Sequence, residues 1–186
     1  FYDKQTGKWI LARDHFGIKP LYYVKSNDNL IFASEIKAIL KHPAIRAKCA
    51  EENLSEYIFY QFCIGEKTLF KDIKKVEPAH FIVGQDDQII EVKKFWTPSY
   101  NINLFQKEDE CSEELYNLIE NSISLQLKSD FPVGGYLSGG IDSSLICSIA
   151  NKISGECFKM FHGKFDEGTE YDESDYAKLV CKNTNG

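Results

Sequence analysis

Val133-Gly134-Gly135-Tyr136-Leu137-Ser138-Gly139-Gly140-Ile141-Asp142-Ser143-Ser144 is the stretch on which the reading of this 186-residue chain turns. A short apolar run leads into glycines, hydroxyls and one carboxylate. Leu145, Ile146, Ile149 and Ile153 then recur at helical spacing. The order predicts a strand over 133–137, a turn over 138–142 and a helix over 143–153. A helix start offers unpaired backbone N–H groups and the positive end of the dipole, which suits an anion. Gly139 and Gly140 let the backbone come close to such an anion. Ser138, Ser143 and Ser144 add hydroxyl donors. Asp142 has two readings. It caps the helix, or it holds a Mg²⁺ that separates it from phosphates.

The common phosphate loop is excluded, because it needs Lys and then Ser or Thr where this chain has Ile141-Asp142. The stretch Ser138-Gly139-Gly140-Ile141-Asp142-Ser143 resembles the S-G-G-x-D-S pyrophosphate loop of ATP pyrophosphatases. Those enzymes split ATP between its α and β phosphates. The competing reading is an ordinary strand-to-helix turn with a Ser/Asp cap.

Working outward, residues 112–128 carry a helical pattern. Ser112 is the expected cap, and Leu115, Leu118, Ile119 and Ile123 the expected buried face. After the loop helix, Phe158–Phe161 reads as a second, parallel strand. Asp172 or Ser174 opens a last helix with Tyr176, Ala177, Leu179 and Val180. This α-β-α-β-α order predicts a parallel sheet with crossover helices. Two parallel strands cannot bury both faces, so the expected domain continues beyond them. Residues 97–111, with Pro98, Asn101, Asn103 and the acidic run Glu108-Asp109-Glu110, form the expected linker.

The first half reads differently. Strands are expected at 8–13, 21–24, 30–33, 68–70, 79–83 and 88–92, with turns at 14–17, 26–29 and 86–87. Ser34 is the expected cap of a short helix bearing Ile36, Ile39 and Leu40, stopped by Pro43. Residues 51–62 form an expected amphipathic helix that buries Leu54, Tyr57, Ile58 and Phe62. Arg13-Asp14 reads as an ion pair fixing its turn rather than as catalytic machinery. His15, His42 and His80 show no partner in the sequence.

The formal net charge of −6 argues against a broad nucleic-acid footprint. No apolar run of about 18 residues predicts a membrane span. The chain opens on Phe1 rather than Met, so the lack of a visible signal peptide decides little. Six cysteines, at 49, 63, 111, 147, 157 and 181, are irregularly spaced and contain no C-x-x-C. That pattern disfavours zinc, and Cys147 in an apolar helix suits a reduced, buried thiol. A cytoplasmic location is the expectation.

Several pieces narrow the resemblance. Arg13–Tyr23 (Arg-Asp-His-Phe-Gly-Ile-Lys-Pro-Leu-Tyr-Tyr) and Phe32–Ala38 look like the end of the glutaminase domain in glutamine-dependent asparagine synthetases. Thr68–Ile73 and Pro78-Ala79-His80 resemble that family's linking segment. Ser129–Gly134 leads into the pyrophosphate loop as it does there, and Asp172–Ala177 resembles the stretch after the next strand.

The resemblance implies an α/β protein. It would comprise the antiparallel, β-rich end of an Ntn-type glutaminase domain at 1–96, a linker at 97–111, and the start of a parallel-sheet, adenine nucleotide α-hydrolase-like ATP-pyrophosphatase domain at 112–186. It implies ATP-dependent adenylation of aspartate to β-aspartyl-AMP, then amidation by glutamine-derived ammonia, with release of AMP and pyrophosphate. ATP and Mg²⁺ are the implied cofactors. The implied partners are ATP, aspartate and glutamine, with a homodimer allowed and neither nucleic acid nor membrane expected.

Carried over residue by residue, Leu137 would meet the adenosine. Ser138, Gly139, Gly140, Ser143 and Ser144 would hold pyrophosphate, Asp142 would bind Mg²⁺, and Gly163 would contact adenine through its backbone. His162-Gly163-Lys164 departs from the apolar residue plus glycine that many members carry. The family's N-terminal cysteine nucleophile and its aspartate-binding residues have no counterpart here, so no complete catalytic set is expected in this piece. Two other functions stay open. One keeps the fold and changes the acceptor to another carboxylate or to a β-lactam precursor. The other is a non-catalytic nucleotide-binding module.

Overall fold

The structure is a computed structural model that describes residues 1–26, 29–102, 106–155, 158–164 and 172–184. It divides into two compact units, Phe1–Asn101 and Ile102–Gly186, each described by itself.

In the first unit, β1 (Lys8–Ala12), β5 (His80–Gln85) and β6 (Gln88–Lys94) form one antiparallel sheet in the order β1-β5-β6. A second antiparallel sheet runs β3-β2-β4, built from β2 (Tyr22–Ser26), β3 (Asn29–Ala33) and β4 (Lys74–Lys75). Alternation on β1 turns Trp9 and Leu11 inward. They meet Ile82 of β5, Tyr23 of β2 and Val76 in one core, so the two sheets share a buried face. Trp9 fixes the register. Its ring occupies the space a Cβ at Gly84 would take, 1.9 Å from the nearest ring atom, and its Nε1–H donates to the Asp86 carbonyl at 2.9 Å. The ladder between β5 and β6 slips at Val83/Gly84, a bulge that this intrusion explains.

Asp86, in the left-handed region at φ 54°, turns the chain between β5 and β6 as expected for 86–87. Residues 27 and 28 of the expected 26–29 turn lie outside the described residues. A second small core gathers Val24, Ile39 and Ile73 under α1 (Ile36–Ile39).

Four expectations for this unit are corrected. Ser34 does not cap α1, whose N-cap is Glu35 without a side-chain cap bond. Thr68–Phe70 is not a strand. Thr68 is instead a buried knot, its Oγ1 donating to the Phe70 and Ile73 carbonyls at 2.9 and 2.6 Å, while Phe70 makes one isolated bridge to Cys49. The helix expected at 51–62 is a 3₁₀ turn, Glu51–Asn53, followed by α2 (Leu54–Tyr60) and ended by Gln61 at φ 61°. Its supposed buried face is open, with Ile58 77% exposed and Tyr57 and Phe62 also exposed. Periodicity identifies an apolar stripe, but a stripe is buried only where another element covers it.

The fourth correction concerns Arg13 and Asp14, which make no ion pair with each other. Arg13 donates to three carbonyls, those of Lys19, Val76 and Gly17, and Asp14 accepts from the amides of Phe16, Ile18 and Lys19. His15, expected to be isolated, lies edge-on to the rings of Phe95 and Trp96.

The second unit is α3 (Glu108–Gln126), β7 (Gly134–Tyr136), α4 (Ile141–Ser154), β8 (Lys159–Phe161) and α5 (Ser174–Thr184). β7 and β8 pair in parallel, in register Gly134↔Lys159 to Tyr136↔Phe161, as the α-β-α-β-α order predicts. α3 begins four residues before the expected cap. Lys107 is its N-cap, Ser112 lies inside it, and Glu108, Asp109 and Glu110 form its first turn, where acidic charge meets the positive end of the dipole.

The buried face of α3 is rotated from the expected one. Ile123 is buried with Tyr116, Ile119 and Leu127 against it, while Leu115 and Leu118 are about 60% exposed. The core they join contains Leu137, Cys147, Ile149, Ala150, Phe158 and Ala177. Burial pushes the Cys147 thiol pKa up, so it stays a protonated, apolar filler. The other described cysteines are also free, and Cys157, with most of the charged loop after β8, lies outside the described residues. Among the described residues no helix is long and apolar enough to cross a membrane.

Candidate functional site

β7 is short and glycine-rich because its neighbours demand it. A Cβ at Gly134 would stand 2.8 Å from the Lys159 carbonyl oxygen and from the Phe161 ring. One at Gly135 would stand 2.9 Å from Cys147 Sγ and 3.0 Å from Phe158. Adjacent glycines inside a strand signal such close approach, and the sequence reading did not use that signal. The ladder extends one residue further, where Leu137 N–H donates to the Phe161 carbonyl at 2.9 Å.

The chain then turns through 138–140 and enters α4 with Gly140 as N-cap. Two hydroxyls close this loop on itself. Ser143 Oγ lies 3.0 Å from Ser138 Oγ, accepts from the Ser138 amide at 3.2 Å and donates to the Gly140 carbonyl at 3.1 Å. Ser138 Oγ accepts in turn from the Gly140 amide at 3.2 Å. Ser144 N–H donates back to the Gly140 carbonyl at 3.0 Å, the first bond of the helix. The amides of Ile141, Asp142 and Ser143 precede that bond, so the helix offers them no carbonyl of its own.

Gly139 has φ +91°, and a Cβ there would meet Tyr176 Cβ at 2.6 Å. The first turn of α5 therefore presses on the loop. Asp172 holds that turn, accepting from the Ser174 amide at 2.9 Å and from the Ser174 hydroxyl. Those bonds, with lesser help from nearby Lys164 and His162, hold its carboxyl below the usual range. The sequence showed Asp172–Ser174 only as a helix start. Its place behind Gly139 comes from the parallel crossover.

Asp142 sits in the first turn of α4, exposed, and among the described residues its carboxylate makes no hydrogen bond or ion pair. The capping alternative thus has no bond to support it. No group of three or more His, Cys, Asp or Glu side chains that could hold a metal occurs among the described residues. A lone carboxylate beside an anion cradle suits Mg²⁺, which keeps several waters and takes its remaining ligands from phosphate oxygens.

Leu137 is buried and, with Met160, His162, Ser174, Ala177 and Cys181, lines a cavity of about 300 Å³. Gly163 follows on the same strand end, and among the described residues nothing lies within 4 Å of where its Cβ would be. The structure therefore places Leu137, Ser138, Gly139, Gly140, Asp142, Ser143 and Ser144 on one strand-loop-helix corner, with Gly163 at the end of the neighbouring strand. Such a corner, at the carboxyl ends of parallel strands, is where open α/β sheets take ligands.

Comparison with known proteins adds a family. The family model for the glutamine amidotransferase domain matches residues 1–96, and the model for asparagine synthase matches residues 114–186. The chain is 36% identical over 167 residues to glutamine-hydrolysing asparagine synthetase 1 of Bacillus subtilis strain 168, covering 90% of this chain and 26% of that protein. It is 29% identical over 196 residues to the amidase chry2 of Gibberella zeae and 30% identical over 196 residues to the amidase chyE of Penicillium rubens. Each of those matches covers 97% of this chain and 29% of the relative. The chain thus spans between a quarter and a third of the length of these relatives.

Proposed function

The chain belongs to the glutamine-hydrolysing asparagine synthetase family, and on that premise we propose that it forms part of a longer ATP-dependent amide ligase. In this reading residues 1–96 are the closing part of an Ntn-type glutaminase domain and the residues from 97 up to α3 connect it onward. The residues from α3 to 186 then open an adenine nucleotide α-hydrolase-like synthetase domain whose sheet gains further strands in the whole protein. The whole enzyme would convert aspartate and ATP to β-aspartyl-AMP and pyrophosphate, and ammonia from glutamine would then displace AMP to give asparagine.

The observation that carries the proposal is the self-closed loop between β7 and α4. Its hydroxyls and amides converge at a helix N-terminus, beside a carboxylate that makes no bond among the described residues. Ser138, Ser143, Ser144 and the first amides of α4 would bind and orient the β and γ phosphates, and Gly140 leaves room for them, since among the described residues a Cβ there would touch Ser138 Oγ alone beyond its chain neighbours. Asp142 would hold Mg²⁺, which when bound neutralises charge on the leaving pyrophosphate. Leu137 and Gly163 would border the adenosine.

Asp142→Asn in the complete enzyme tests this. The substitution keeps size and most hydrogen bonding while removing the charge that attracts the metal. The expected result is loss of aspartate-dependent ATP–pyrophosphate exchange by about a hundredfold or more, on the order of 3 kcal/mol, with glutaminase activity spared. Near-normal exchange with unchanged Mg²⁺ dependence would return Asp142 to a structural role. A second reading, with another acceptor carboxylate, is favoured by the near-complete coverage of this chain by two proteins named amidases. Exchange dependent on a different carboxylic acid, and not on aspartate, would select it.

A further inference from the structure

We propose that Asp172 is a positioning residue for pyrophosphate, acting through the first turn of α5 to hold Gly139, and with it the loop between β7 and α4, in its anion-binding shape. The inference rests on the nucleotide reading of that loop and extends it to a carboxylate outside the loop motif.

The loop is bonded from within at Ser138, Gly140, Ser143 and Ser144. Gly139 is the exception, since among the described residues its N–H and C=O make no hydrogen bond. It stands nonetheless at φ +91°. Contact with α5 holds it there. A Cβ on Gly139 would lie 2.6 Å from Tyr176 Cβ, 3.2 Å from the Ala177 amide nitrogen and 3.3 Å from the Glu173 carbonyl oxygen. Two of those atoms are backbone and the third is a Cβ, so none swings aside unless the turn itself moves.

That turn is built on Asp172. The Glu173 carbonyl accepts the amides of Tyr176 and Ala177 at 3.1 and 3.2 Å. Ser174, the next residue, is buried, and both its amide and its hydroxyl donate to Asp172 Oδ1, the amide at 2.9 Å. A carboxylate that takes an orphan N–H at a helix start stabilises that start. Ala177 joins the core that contains Leu137, which anchors the turn on its other side. Without the Asp172 carboxylate, two donors on a buried residue lose their acceptor and the turn loosens. Gly139, bonded to nothing, then regains the wide backbone freedom of glycine. The free amides of Ile141, Asp142 and Ser143 follow it closely, and their aim at an anion depends on where Gly139 places them. A ligand binds more weakly in proportion to the fraction of sites that hold the competent shape.

The test uses the complete enzyme with Mg²⁺. Calorimetry reads the binding of inorganic pyrophosphate and of AMP, and steady-state kinetics read ATP. AMP is the control, because the loop would hold the two phosphates that leave. Asp172→Ala should weaken pyrophosphate about tenfold, leave AMP within about twofold, and raise KM for ATP about tenfold with kcat little changed. Asp172→Asn, whose side-chain carbonyl still accepts from Ser174, should restore most of the affinity. A residue that served stability alone would lower the melting temperature and leave the pyrophosphate affinity of the folded enzyme unchanged, and that result overturns the proposal. Equal weakening of pyrophosphate and AMP, or an Asn variant as weak as the Ala variant, overturns it too. Should Asp172→Ala not fold, Ser174→Ala decides, because it removes only the hydroxyl donor. It should weaken pyrophosphate about threefold, and wild-type affinity would overturn the proposal. Failure of the wild type to bind pyrophosphate would instead overturn the nucleotide reading itself.

Discussion

Arg13 and Asp14 divide the hydrogen bonding of one turn between them. The guanidinium gathers three carbonyls, and the carboxylate gathers three amides five residues or fewer downstream. Gly17 completes the arrangement at φ +66°, since a Cβ there would strike Pro78 Cγ at 2.8 Å. The amides of Lys19 and Ile18, in that order, hold the Asp14 carboxyl below its usual pKa. A carboxylate whose pKa is depressed by folding contributes stability above its unfolded value and loses it as pH falls through the folded value. Melting temperature should therefore fall as pH drops below about 4. Asp14→Asn should be less stable at pH 7 and show a shallower acid limb. The limb should persist in part, because Asp3, Glu56 and Asp172 are also shifted down by hydrogen bonds. Thermal melts from pH 7 to pH 2 check this, and identical acid limbs in the two proteins would contradict it.

At the scale of elements, β7 and α4 are packed too closely for a side chain at Gly135. Its Cβ would lie 2.9 Å from Cys147 Sγ and 3.0 Å from Phe158, both in the buried core. Gly135→Ala should cost about 1–3 kcal/mol through overpacking. Cys147→Ala removes one of the two obstructing atoms, so the double variant should be more stable than the sum of single effects predicts, by about 1 kcal/mol. Urea midpoints of the four proteins form the cycle. Strict additivity would mean that the strand shifts away from α4 instead. The shape of α3 follows from the same packing, which chose Ile119 and Ile123 over Leu115 and Leu118 for the core.

For the whole molecule, the path between β6, ending at Lys94, and α3, starting at Glu108, contains no helix or strand among its described residues. Regular structure on both sides is dense in backbone hydrogen bonds, and cleavage concentrates where such bonds are few. Brief trypsin treatment should cut first near Lys94 or Lys107 and yield pieces close to 1–94 and 108–186 by mass spectrometry. First cuts within β1 to β5 or within α3 to α4 would show that this connection is protected.

The sequence by itself determined the order of elements in the second half, most of the strands of the first, and the strand-loop-helix corner at 134–154. Those features rest on local chemistry: alternation, helical spacing, turn residues and a glycine-hydroxyl loop that few other conformations satisfy. It also carried the family resemblance, through strings such as Ser138–Ser143 and Arg13–Tyr23. Tertiary structure alone decided which apolar faces are covered, because burial depends on a neighbour that periodicity does not name. The open stripe of α2 and the rotated face of α3 are the two cases here. It also decided what Arg13 and Asp14 bind, why Gly134 and Gly135 stand in β7, and how a parallel crossover brings Tyr176 of α5 behind Gly139. Each of these is a contact between residues distant in sequence or a close approach of backbone. A linear pattern gives the residues for such contacts without their partners.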